Sequence, residues 1–115
     1  MTGDTGDVWI VWSSVPDQNI AGQIADRLVT EGLAACVHVT PVGTSVYAWN
    51  GVVQRDSEHL LMIKTHQDRY AQVASVVRAM HPYELPEIIA VPVVQGLPGY
   101  LAWVRSATAG MTGHE

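Results

Sequence analysis

Asn50-Gly51 restricts the fold of this chain more than any other pair of residues. Both residue types accept positive φ, as a type I′ turn demands, and the pair is the strongest short signal for a two-residue hairpin. Runs rich in β-branched and aromatic residues flank it, Thr44 to Trp49 on one side and Val52 to Thr65 on the other. One long antiparallel hairpin is therefore predicted in the middle of the chain, and every other element has to be arranged around it.

Val8 to Val15 is mostly apolar and β-branched and reads as a buried strand. Asp17 follows Pro16 as a candidate N-cap, and Ile20, Ala21, Ile24, Ala25, Leu28 and Val29 then recur at helical spacing. Gly32 stands where a helix ends in a left-handed residue. Leu33 to Thr40 reads as a second strand, broken by Pro41 and Gly43 before the hairpin begins. Gln67 to Met80 repeats the helical pattern through Tyr70, Val73, Ala74 and Val77, and Pro82 stops it. Glu87 to Val94 reads as a further strand, at an edge because Pro92 lacks a ladder donor. After a turn through Gly96, Pro98 and Gly99, Tyr100 to Ala107 reads as a short terminal helix.

The order is β-α-β-β-α-β plus a short C-terminal helix. An antiparallel sheet with two crossover helices on one face is the ferredoxin-like split βαβ arrangement of the α+β class. Residues 8–107 form one domain on this reading, with residues 1–7 and 108–115 as flexible ends.

Apolar residues make up 48% of the chain and charged residues only 15%, against about 25% charged in typical domains. A chain this short buries roughly two-thirds of its unfolded surface. Apolar surface is thus left over, and a subunit interface is the simplest way to cover it. Tyr47 and Trp49, near the hairpin tip, need the same cover. Six Lys and Arg against eleven Asp and Glu give a net charge of −5, which argues against nucleic acid and anionic membranes as partners. No stretch reaches the ~20 apolar residues of a membrane helix, and the N-terminal MTGDTGD lacks the pattern of a signal peptide. With a single cysteine, Cys36, no intrachain disulfide forms, and a cytoplasmic location is expected.

Five segments in order, LAACV (33–37), SVYAWNG (45–51), IKT (63–65), HPYELPEII (81–89) and YLAW (100–103), resemble the CutA divalent-cation tolerance family from about Val8 to Arg105. The resemblance implies a non-catalytic homotrimer with β-pairing between subunits, similar to the PII signalling trimers. It also implies a part in tolerance of copper or another divalent cation, with no organic cofactor. Trp49, Glu58, Lys64, His81 and Tyr83 match positions that line a cleft between subunits.

His81 leads the candidate metal ligands, since it follows the last turn of a helix and imidazole suits copper and zinc. Some family members add a histidine just before it and a cysteine near the end of the first strand; Met80 and Ser13 stand there in this chain. Cys36 is the second candidate, two residues from His38 on one strand face, a spacing that permits a shared soft metal. Packing alone also accounts for both residues.

Lys64, the only lysine, follows an apolar run and calls for a carboxylate such as Glu58, Glu84 or Glu87, or an anionic ligand. A PII-like sensor taking a small polar ligand in a cleft of Trp49, Glu58, Lys64, Tyr83 and Glu84 is the alternative to metal handling. An enzyme with His81 and Glu84 or Glu87 as acid and base is a third reading. His59, His66 and His114 read as solvent or tail residues.

Overall fold

Local chemistry sets where each element starts and stops. The Asp17 carboxylate accepts hydrogen bonds from the backbone N–H groups of Asn19 (2.7 Å) and Ile20 (3.1 Å), which opens α1 (Gln18–Thr30). Gly32, at φ 70°, closes it. Asn50 and Gly51 take φ of 53° and 77°, the positive pair of the type I′ turn, and join β3 (Gly43–Trp49) to β4 (Val52–His66). In this computed structural model, which describes residues 6–109, the remaining elements are β1 (Val8–Val15), β2 (Cys36–Val39), α2 (Tyr70–Met80), β5 (Ile89–Pro92) and α3 (Pro98–Ala107).

All strand pairs are antiparallel. The sheet runs β2-β4-β1-β5, with β3 paired to the outer half of β4. This is the expected α+β, ferredoxin-like order, and Pro92 sits in an edge strand as its missing donor requires. Two strands are shorter than expected, because Leu33 to Ala35 and Glu87 to Ile88 serve as connections. The second helix begins with a 3₁₀ turn at Gln67–Arg69, where the His66 ring accepts from the Asp68 N–H. α3 starts two residues earlier than the Pro98-Gly99 turn suggested, since proline at the first helical position loses no helical hydrogen bond.

The loose ends expected at 1–7 and 108–115 extend too far inward. Asp7 accepts from Arg105 Nε at 2.7 Å and from Arg105 Nη2 at 3.1 Å. Thr108 is buried and donates its hydroxyl to the Val104 carbonyl at 2.8 Å. Residues 1–5 and 110–115, with His114, lie outside the described residues.

Helices α1 and α2 cover one face of the sheet. Val11, Val15, Ile24, Leu28, Leu61, Ile63, Val73 and Val77 are fully buried between them. Strand alternation turns Ile10, Trp12, Leu60, Met62, Ile89 and Val91 to the opposite face. Only its far end is covered, where Leu101 and Val104 of α3 meet Val8.

A bulge redirects the hairpin. Thr40 still pairs with Leu60, whose carbonyl accepts the Thr40 N–H at 3.0 Å, whereas Gly43 pairs with Glu58. Pro41 and Val42 thus stand opposite His59 alone, whose Nδ1 lies 2.9 Å from the Thr40 carbonyl. The extra residue switches parity, so Ser45, Tyr47 and Trp49 face the same side as Cys36 and His38. Beyond the bulge the hairpin projects from the sheet. The extents are 48 × 26 × 22 Å and the radius of gyration is 15.1 Å, against about 13 Å for a compact chain of this length.

Candidate binding cleft at the base of the hairpin

A cavity of about 1000 Å³ opens where the hairpin leaves the sheet. Tyr47 and Trp49 of β3, Asp56 and Glu58 of β4, Ser14 of β1 and Tyr83, Glu84 and Glu87 from the α2–β5 connection line it. The turn fixes the hairpin's share, because the two-residue loop pairs Tyr47 with Gln54 and Ser45 with Asp56. Tyr47 then reaches diagonally, and its hydroxyl donates to the Asp56 carboxylate. Among the described residues, the four carboxylates of Asp56, Glu58, Glu84 and Glu87 have no lysine, arginine or histidine beside them in the cavity wall. The wall is anionic and aromatic.

Glu58 is 9% exposed and accepts from the Tyr83 hydroxyl at 3.0 Å. Desolvation, reinforced by Glu58, pushes the Tyr83 phenol up to about 12. Tyr47 is raised as well, chiefly by its hydrogen bond to Asp56. Tyr83's folded value lies above its unfolded one, so its contribution to stability is fully present below pH ~10, the unfolded value. It is lost as pH rises towards about 12. Ultraviolet titration of native protein is expected to show one phenol ionising near pH 12 that is missing from Tyr83→Phe. A wild-type titration complete by pH ~11 would contradict this assignment.

His81 supports the cleft from beneath and does not line it. It is 8% exposed, and both ring nitrogens bond to groups outside α2. Nε2 donates to the Ser14 carbonyl at 2.7 Å, and Nδ1 accepts the Tyr83 N–H at 3.1 Å. The Tyr83 ring packs on it, with centroids 4.9 Å apart. This bond continues the sheet where β5 has ended. Val8 accepts from Val93, the Ile10–Val91 and Trp12–Ile89 pairs follow, and the imidazole supplies the next rung at Ser14. A metal at His81 would have to displace one of its two bonds.

Lys64 stands apart from the other cleft candidates. It lies six residues along β4 from Glu58, about 20 Å in an extended strand. Instead of the expected carboxylate, Lys64 meets the face of Tyr100, with Nζ 5.6 Å from the ring centroid. Cys36 pairs across the strands with Lys64, whereas His81 is tied to β1 on the other side of β4, so the subunit does not bring the two metal candidates together. Ser13 is fully buried on the helix-facing side with its hydroxyl unpaired among the described residues, and Met80 packs against the same core.

Tyr47 and Asp56 are cleft residues that sequence reasoning missed, although counting outward from Asn50-Gly51 puts both on the Glu58 side. His59 and His66 are bonded residues and not free solvent ones: His66 also lies 3.4 Å from Asp7.

An antiparallel split-βαβ sheet with an open acidic cleft beside a projecting hairpin defines a ferredoxin-like α+β protein with a candidate binding site. The family model described as CutA1 divalent ion tolerance protein matches residues 9–107, and the chain belongs to that family. The divalent-cation tolerance protein CutA of Thermus thermophilus is 43% identical over 99 residues, which cover 86% of this chain and 96% of that protein. The solved structure of a Thermus thermophilus divalent cation tolerance protein superposes with a TM-score of 0.85 at 42% identity, covering 88% of this chain and 98% of the other. CutA1 from Oryza sativa gives a TM-score of 0.86 at 38% identity, covering 91% and 96%. Human Protein CutA is 42% identical over 107 residues, or 93% of this chain. The chain spans 60% of the length of the mouse and human proteins it matches.

Proposed function

We propose that this protein is a non-catalytic binding protein of the divalent-cation response, assembled as a homotrimer, that takes a small cationic ligand in the cleft at the base of its hairpin. The carrying observation is the cavity of about 1000 Å³ with four carboxylates and, among the described residues, no cationic side chain in its wall. Among the described residues no group of three or more His, Cys, Asp or Glu converges closely enough to hold a bare ion. Carboxylates spread along a cavity suit a ligand that carries its own separated charges, and Trp49 and Tyr83 offer ring faces to an ammonium group.

This is the sensor reading in preference to copper held by His81 and Cys36. Assembly is supported by the uncovered face of Ile10, Trp12, Leu60, Met62, Ile89 and Val91, and by the projecting hairpin. On this reading the cleft lies between subunits. A single unpaired cysteine fits a reducing compartment, and the cytoplasm is the proposed location.

Calorimetric titration of the full chain with putrescine, and in parallel with manganese(II) chloride, tests the ligand class. Putrescine is expected to bind, with affinity falling about tenfold or more in Glu58→Gln and at higher salt, as for a desolvated charge pair. Lys64→Ala is expected to leave it unchanged. Indifference to Glu58→Gln, or binding of anions only, would overturn the proposal.

A further inference from the structure

We infer that the groove between α2 and the chain returning from it to β5 binds a free α-amino acid with an apolar side chain. The inference goes beyond the cleft reading. The groove lies on the outer side of α2, off the sheet face proposed for association, and only Glu84 and Leu85 also belong to the cleft wall.

Helical spacing makes one wall. Tyr70, Ala74 and Arg78 stand four residues apart on α2 and therefore share one face over about 12 Å. The helix ends before Pro82, and the chain turns back to place Glu84, Leu85 and Ile88 opposite. Ala74 is too small to fill the space between the walls, which leaves a cavity of about 500 Å³. Tyr70 and Ile88 pack against the core, so the base of the groove is apolar.

The two charges in the wall are opposite in sign. Neither Arg78 nor Glu84 makes a hydrogen bond or ion pair among the described residues, with each other or elsewhere. Arg78 occupies the last turn of α2, with Ser75 one turn before it. Glu84 stands at the same end, because it also lines the cleft beside Ser14, the residue that the His81 ring reaches from the end of α2.

A cation and an anion facing one space match a zwitterion. The guanidinium offers two parallel hydrogen bonds to a carboxylate, the Ser75 hydroxyl offers a third, and Glu84 accepts from an ammonium group. The ligand's side chain then runs along Ala74 toward Tyr70 and Ile88. A polar side chain would lose its water there without gaining a partner. A dicarboxylate would bring a like charge to Glu84, and a polyamine would bring one to Arg78, so both are disfavoured.

The test is calorimetric titration of the full chain with L-phenylalanine, with amide NMR spectra to locate the ligand. Saturable binding at millimolar concentration or below is expected, with shifts at Ala74, Ser75, Arg78 and Ile88. L-Phenylalaninamide lacks the carboxylate and phenylpropionate lacks the ammonium. Each should bind about tenfold more weakly or worse, the loss expected for a hydrogen bond to a charged partner. Arg78→Gln should weaken phenylalanine to the same degree and leave putrescine unaffected. Its exposed helical position makes the substitution compatible with folding, and circular dichroism verifies it. Glu58→Gln should retain phenylalanine binding, so failure of the cleft reading would leave this site standing, and the reverse.

Absence of shifts at millimolar phenylalanine would overturn the site. So would equal affinity for the amide, which would mean a hydrophobic slot indifferent to charge. Shifts confined to Tyr47 and Trp49, with binding lost in Glu58→Gln, would also overturn it by placing the ligand in the cleft.

Discussion

Trp12→Glu is expected to convert the assembled protein into single chains. Trp12 stands mid-face, between Met62 of β4 and Ile89 of β5, on the side of the sheet that its own subunit covers only at the far end, with α3. A carboxylate buried there against apolar neighbours has no partner, and an uncompensated buried charge costs about 3–5 kcal/mol. Loss of that size weakens association more than a hundredfold at each contact. Sedimentation velocity at micromolar concentration measures it directly, with three chains expected for the wild type and one for the variant. Conservative replacement by Tyr keeps the apolar area and should keep the trimer. An unchanged sedimentation coefficient for Trp12→Glu would show that the subunits do not meet through this face.

The second large effect is expected at His81. Replacement by Leu preserves volume but removes both ring nitrogens, and leaves the Ser14 carbonyl and the Tyr83 N–H without their partner. Each orphaned group costs about 1–3 kcal/mol, so a total loss of roughly 2–6 kcal/mol is expected in urea unfolding at fixed protein concentration. Lost stability alone would not distinguish a positioning role from ordinary packing. Tyr83 supplies the distinguishing readout: without the imidazole beneath it, the phenol should leave Glu58 and its titration should fall from about 12 toward the ordinary value. A destabilised variant whose Tyr83 still titrates near 12 would restrict His81 to packing.

The legibility of these features in the sequence followed the range of the forces involved. Asn50-Gly51 fixed the hairpin because a type I′ turn dictates both strands' pairing within a few residues. Asp17 and Gly32 marked α1 because caps act within one turn. The ends of β2 and β5 were not legible, since a strand stops where its partner stops, and β1 and β4 lie tens of residues away. Lys64 shows the same limit. Its need for a partner followed from its apolar flanks, but that the partner is the Tyr100 ring depends on how α3 crosses the sheet. Pro41 signalled a break in the strand, yet not that the break is a bulge that changes which residues share a face. That parity change puts Tyr47 and Trp49 into the cleft.

Gln54, Asp56, Glu58, Leu60, Met62 and Lys64 all have the same parity along β4, an unbroken strand of fifteen residues. The cleft and the face proposed for association are therefore successive stretches of one ribbon, joined by no loop that flexes between them. On the proposed assembly, whatever binds at one stretch meets the same backbone that a neighbouring subunit would grip at the other. Linkage makes the exchange reciprocal: a ligand preferring the assembled form tightens the assembly by the factor by which assembly tightens the ligand. Assembled as proposed, the protein would sense its ligand and its own concentration through a single equilibrium.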